Sequence, residues 1–106
     1  MPDWRQSFLD NYKVTVTPQA LKDLEEVYTV TLELSADRDI AYSFIETIKS
    51  SIRRLKSFPD RGTIRTVGRH KGYRQIFVKK YTVVYRVDYE NKKVYIVAVK
   101  PKKNQL

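Results

Sequence analysis

The side chains of this chain best suited to chemistry are cationic. Arg61, Arg65, Arg69, Lys71 and Arg74 fall within fourteen residues, and Lys100, Lys102 and Lys103 lie close to the C-terminus. A guanidinium presents a planar fork of donors that engages phosphate or carboxylate bidentately, and an ammonium presents a compact charge. Either can hold a polyanion or stabilise the charge that develops when a phosphodiester breaks. Tyr73, Tyr81, Tyr85, Tyr89 and Tyr95 are interleaved with this half of the chain. Aromatic faces beside arginines suit stacking on unpaired bases, but strands favour tyrosine for packing alone, so some of these rings belong to a core. His70 is the one histidine. Its ordinary pKa near neutrality suits a general acid or base, although a lone loop histidine is more often simply surface.

Much other chemistry is excluded by what the chain lacks. It has no cysteine, hence no disulfide, thiol nucleophile or cysteine-ligated zinc, and one histidine cannot make a multi-histidine metal site. No metal or cofactor is expected. Glu25 and Glu26 fall on a solvated helix face, the serines lack an activating histidine–carboxylate pattern, and there is no glycine-rich phosphate loop. No apolar run approaches the roughly 18 residues of a membrane span, and MPDWRQSFLDNY lacks the apolar stretch of a signal peptide. The expectation is a cytoplasmic protein with no membrane partner.

Charge is divided along the chain. The net charge is +9, yet residues 1–60 carry 8 Lys/Arg against 10 Asp/Glu, while residues 61–106 carry 13 against 2. A basic half of this kind attracts nucleic acid or acidic protein. With 106 residues there is one domain, with one modest core and marginal stability, so a tightly bound partner matters.

These residues must be positioned by the elements around them. Tyr12, Val14 and Val16 alternate with Lys13, Thr15 and Thr17, which predicts a half-buried strand. Thr17-Pro18 starts a helix with an apolar stripe at Leu21, Leu24, Val27 or Tyr28, and Thr31 or Leu32; its outer face carries Lys22, Asp23, Glu25 and Glu26. After a break at residues 35–39, Ala41, Phe44, Ile45, Ile48, Ile52 and Leu55 mark a second helix that ends near Phe58-Pro59. So short a connection predicts an antiparallel helix hairpin. Residues 60–72 hold all three glycines and read as a mobile basic loop. Strands are predicted over Tyr73–Val78, Tyr81–Asp88 and Val94–Val99 as an antiparallel meander, with Pro101 ill suited to continue the last. The fold class is α+β, in the order β-α-α-β-β-β: an antiparallel sheet covered on one face by a two-helix hairpin. Residues 1–11 form an N-terminal extension, 12–100 the domain and 101–106 a basic tail. In the extension, Trp4, Phe8 and Leu9 make either a short docking helix or a segment that orders on a partner.

Three segments carry a resemblance. TPQALKDLEEVY (residues 17–28), AYSFIETIKSSIRRLKSFPDRG (41–62) and GYRQIFVKKYTVVYRVDYENKKVYIVAV (72–99), in this order, resemble the RelE/ParE superfamily of type II toxins. The resemblance spans residues 12–100 and implies the same fold. It implies a growth-inhibiting toxin of a stress-responsive toxin–antitoxin system, neutralised by a cognate acidic antitoxin. Its target is then either DNA gyrase, inhibited without catalysis as by ParE-like members, or mRNA on the ribosome, cleaved as by RelE-like mRNA interferases. RelE-like nucleases generally carry an arginine early in the strand that here reads Tyr81-Thr82-Val83-Val84-Tyr85, where Thr82 stands instead. They often place Arg, His or Tyr near the C-terminus, where this chain has Lys100-Pro101-Lys102-Lys103. The long hairpin from Pro18 to Pro59 and the FPDRG exit are more ParE-like. Gyrase inhibition is therefore the favoured reading and ribosome-dependent mRNA cleavage the alternative. A nuclease would draw on Arg74, Arg86, Lys100, Lys102, Lys103 and His70. Target or antitoxin binding would draw on Arg61, Arg65, Arg69, Lys71, Tyr73, Arg74, Lys102 and Lys103.

Overall fold

The structure, a computed structural model, describes residues 12–102. The Trp4, Phe8 and Leu9 extension and Lys103 lie outside the described residues. The alternating residues form β1 (Lys13–Val16). Thr17 then does two jobs. Its Oγ1 accepts from Ala20 N at 3.3 Å, capping α1 (Pro18–Ser35), and donates to Ile96 O at 2.8 Å, tying the helix start to the sheet. Pro18 occupies the first helical turn, where no donor is needed. Only Ala36 and Asp37 separate α1 from α2 (Arg38–Arg53). Ala36 turns the chain at a left-handed φ of 55°, its N–H donating to Leu32 O at 2.7 Å, and Asp37 Oδ1 accepts from Asp39 N at 2.8 Å and Ile40 N at 3.3 Å. The helices fold back as the expected hairpin.

The second helix stops short of its predicted end. Beyond Arg53 the chain tightens into a 3-10 turn (Arg54–Lys56), which keeps Leu55 buried, and a second such turn spans Pro59–Arg61. The apolar stripe itself is as read, with Ala41, Ile48, Ile52 and Leu55 buried and Phe44 and Ile45 packed at its margin.

Five strands follow the order β1-β5-β4-β3-β2, with β2 (Thr63–Ile64), β3 (Arg74–Val78), β4 (Tyr81–Asp88) and β5 (Lys93–Pro101). Three expectations are corrected. First, the sheet is mixed, because β1 runs parallel to β5, with Val14 opposite Val94 and Val16 opposite Ile96. Alternation marks a strand but not its neighbour's direction, which the helical crossover decides. Secondly, residues 60–72 are folded rather than loose. Thr63 and Ile64 pair with Gln75 and Arg74, Arg65 N donates to Tyr73 O at 2.7 Å, and Gly72 N donates to Arg65 O at 2.8 Å. Gly68 and Gly72 supply the positive φ values, 88° and 92°, that close this hairpin. A two-residue strand leaves too short a pattern to read. Thirdly, β5 continues to Pro101, which lies opposite Tyr81. Pro101 has the parity of Val99, whose N–H points away from β4, so the missing donor removes no ladder bond.

One face of the sheet packs on the helix hairpin. Val83 and Tyr85 of β4 and Val94, Ile96 and Val99 of β5 meet Leu24, Val27, Ile48 and Ile52 there. Strict alternation would send Ile96 and Val99 to opposite faces. An extra residue in β5 at the Val84/Tyr85 step, Val97, resets the parity so that both face the core. The opposite face, open in that neither helix packs on it, carries Gln75, Phe77, Thr82, Val84, Arg86, Tyr95 and Ala98, of which Thr82, Val84 and Ala98 are buried. In α1 the fully buried residues end at Val27, leaving the distal part of the hairpin packed mainly on itself. Among the described residues no helix is long and apolar enough to cross a membrane.

Candidate functional site

The basic residues singled out by the sequence occupy several separate places. Arg74 shares the parity of Ile76 and Val78 and so lies on the helix side of the sheet. Its Nη1 donates to Gly62 O at 2.7 Å and Asp60 O at 3.4 Å, and its Nη2 stands 3.6 Å from Asp60 Oδ1. Tyr89 donates to the same carboxylate. Tyr85, fully buried, donates to Pro59 O at 2.8 Å and accepts from Gly62 N at 2.9 Å. A side chain at position 62 would meet the Tyr85 hydroxyl at 2.5 Å, so glycine alone fits. Arg74, Tyr85 and Tyr89 thus hold the Pro59–Gly62 turn. Burial pushes the Tyr85 phenol above its ordinary value of 10.0, and for Tyr89 the bond to Asp60 leads the same upward shift.

Arg86 lies on the open face, its guanidinium 4.3 Å from the Tyr95 ring centre; Lys102 stands 4.6 Å over Phe77 on the same face, toward its other end. Thr82 lies opposite Phe77, 2% exposed, with a hydroxyl that finds no hydrogen-bond partner among the described residues. Lys100 reaches round the outer edge of β5 to Asp23 Oδ1 at 3.1 Å. His70 lies in the β2–β3 hairpin, its ring 5.3 Å from that of Tyr73. Desolvation first, then Arg65 and Arg69, lower its pKa from the ordinary 6.5, which favours the neutral imidazole. Arg65 donates to Gln75 Oε1 at 2.6 Å; Arg69 and Lys71 are exposed, as is Arg61 in its 3-10 turn. The nuclease candidates therefore divide among the helix side, the β5 edge, two positions on the open face and a hairpin. Among the described residues they form no single cluster, nor do metal-ligating groups.

Asp23 was placed on the solvated face of α1 and is instead 4% exposed. Its Oδ2 accepts from Val99 N at 3.0 Å, and its Oδ1 accepts from Lys100 Nζ and, at 3.0 Å, from Gln19 Nε2. β1 ends opposite Ile96, so from Val97 onward the outer edge of β5 lacks a strand, and this carboxylate satisfies it. The signal was present: Asp23 lies three residues after Ala20 and four before Val27, on the buried stripe. Beside it runs a groove that the sequence did not announce. A cavity of about 190 Å³ lies between α1 and β5, lined by Val27, Val30 and Val99, and one of about 500 Å³ is lined by Lys79, Lys80 and Lys102. Tyr81 and Pro101 bound both. The result is an apolar floor with lysines along one rim and the carboxylates of Asp23 and Glu26 on the α1 side.

The model of the ParE toxin family, toxins of the type II toxin–antitoxin system parDE, matches residues 14–106. The chain belongs to the ParE toxin family. The ParE fold recurs in solved structures. The chromosomal ParDE toxin–antitoxin system of P. aeruginosa is similar over 85% of this chain and 95% of that one, with 18% identity and a TM-score of 0.72. The toxin–antitoxin complex RelBE2 of Mycobacterium tuberculosis is similar over 85% and 96%, with 22% identity and a TM-score of 0.57. No curated protein matches the chain. As a member of the ParE family, this chain is a type II toxin of the RelE/ParE superfamily.

Proposed function

We propose that this toxin inhibits DNA gyrase in the bacterial cytoplasm and is neutralised by a cognate acidic antitoxin. The observation that carries the gyrase reading is the dispersal of the cations. Arg74 and Arg86 project from opposite faces of the sheet, Lys100 is tied to Asp23, and uncharged Thr82 is the cross-strand partner of Lys100. A phosphodiester transition state needs preorganised positive charge around one point, and the described residues do not gather it there. The lysine-rimmed apolar groove suits an amphipathic antitoxin segment rich in Asp and Glu: its apolar side chains lie on Val27, Val30, Tyr81 and Val99, and its carboxylates meet Lys79, Lys80 and Lys102, on the side away from Asp23 and Glu26. Purified toxin is expected to block supercoiling by gyrase in a dose-dependent manner, with relief by the antitoxin. Gyrase untouched by a large molar excess of toxin would sink this reading.

The second reading is ribosome-dependent mRNA cleavage. It draws on Arg86 and Lys102, which share the open face with two aromatic rings. New mRNA 5′ ends at codon-fixed positions on translating ribosomes, with plasmid topology unchanged, would replace the first reading with this one.

A further inference from the structure

The hairpin that joins β2 to β3 has a composition unlike the rest of the molecule. It contains Arg65, Arg69, His70 and Lys71, and the whole stretch between Asp60 and Asp88 holds no acidic residue. The guanidinium of Arg69 and the ammonium of Lys71 have no ion-pair or hydrogen-bond partner among the described residues, and every residue from 66 to 72 except His70 is exposed. The backbone is nevertheless fixed, by the Arg65–Tyr73 and Gly72–Arg65 bonds and by Arg65 on Gln75. Unpaired charge on an ordered scaffold is preorganised for an anion.

The kind of anion follows from what surrounds the charge. An acidic protein segment needs apolar pockets for its anchoring residues, and this hairpin offers only Val67 and, at its base, Ile64, both exposed on the outside. The lysine-rimmed groove lies at the other edge of the sheet, between α1 and β5, and the cavity just before β2, lined by Phe58, Pro59, Asp60 and Arg61, holds a carboxylate that opposes an acidic segment. Unpaired bases need free aromatic faces, and the Tyr73 ring is turned against His70. What remains is a hydrophilic polyanion met through its phosphates. A two-stranded ribbon is also narrow enough to lie in the major groove of a duplex.

We propose that the hairpin Arg65–Tyr73 is a binding site for the phosphate backbone of duplex DNA, separate from the lysine-rimmed groove. On the gyrase reading, on which this step rests, it seats the toxin on the DNA segment that its target holds. Arg65, Arg69 and Lys71 neutralise about two or three phosphates without reading sequence, so the affinity falls as roughly the second to third power of salt concentration.

The test is fluorescence anisotropy of a labelled mixed-sequence 30-bp duplex, titrated with the full chain at 100 mM salt and over a salt series. The expected result is saturable binding with a log–log slope of about −2 to −3. The double reversal Arg69→Glu/Lys71→Glu is expected to weaken binding at least about tenfold. Lys79→Glu/Lys80→Glu, the same change in net charge at the far end of β3, roughly 17 Å away and beyond a Debye length, is expected to weaken it by less than about threefold. His70, as the one histidine, reports the site directly: its imidazole proton resonances are expected to move on addition of duplex to the wild type. Absence of saturable binding, equal losses in the two double variants, or displacement of duplex from the hairpin by an equal concentration of poly-glutamate would each overturn the proposal. The titration contains no gyrase, so its failure leaves the gyrase reading standing. A toxin that binds duplex through the hairpin but leaves supercoiling unchanged loses the gyrase reading alone.

Discussion

Thr82 shows how much a single side chain decides here. An arginine at this point would bring positive charge to the open face, beside the Phe77–Lys102 pair; threonine brings a buried hydroxyl with no partner among the described residues. Such a group carries an uncompensated desolvation cost, so Thr82→Val, nearly isosteric, is expected to leave toxicity unchanged and raise stability by about 1 kcal/mol, read by urea unfolding. A loss of toxicity would give the hydroxyl a functional role. Asp23 is the opposite case, a buried carboxylate whose bonds are all made. Asp23→Ala leaves the Val99 N–H buried and unpaired and is expected to cost about 2 kcal/mol. Tyr85 adds a dependence on pH. Burial raises its pKa above 10.0, so the neutral phenol's contribution is intact below pH 10 and is lost as pH rises through the raised value. The tyrosinate absorbance that Tyr85→Phe removes should therefore appear together with unfolding above pH 10, and the same substitution should cost about 1–3 kcal/mol at neutral pH while flattening that alkaline limb. If the absorbance assigned to Tyr85 by that difference rises while the fold persists, the phenol is accessible.

At the scale of elements, what the sequence made legible was whatever repeats. The stripe through Ala41, Ile48, Ile52 and Leu55 and the alternation through β4 place most of the core. Ile48→Ala, at a position with no exposure, is expected to cost about 2–5 kcal/mol; a change within about 0.5 kcal/mol would mean that the site repacks. Features confined to one or two residues were not legible. β2 is two residues long, and the parity shift at Val97 is a single insertion that no periodicity announces. The parallel pairing of β1 depends on contacts some 80 residues apart in sequence, such as Thr17 on Ile96. The turn between the helices holds a further position of this kind, since Ala36 takes a left-handed φ that favours glycine. Ala36→Gly is expected to raise stability by about 1 kcal/mol by thermal unfolding, and a loss would show that the alanine methyl makes a contact of its own.

Over the whole molecule, charge and shape are divided along the same line. The helix hairpin carries most of the acid and the sheet most of the base, a contrast plain in the sequence, whereas its consequence for the site was not. Proximity in sequence suggested that Arg61, Arg65, Arg69, Lys71 and Arg74 act together. The fold instead commits Arg74 to the Pro59–Gly62 turn and leaves Arg69 and Lys71 on the β2–β3 hairpin. The groove escaped notice because its walls come from Val27, Tyr81 and Val99, which only the tertiary fold brings together. The uneven burial of α1 also bears on dynamics. Beyond Val27 no residue of that helix is fully buried, and Leu34 is 83% exposed. The distal end of the hairpin therefore forms a cooperative unit of low local stability, anchored on the α2 side by Ala41. Its amide protons should exchange with solvent deuterium through sub-global opening, ahead of those of β4 and β5, so that the molecule meets any partner as a rigid sheet bearing a helical arm that melts and re-forms without the rest unfolding.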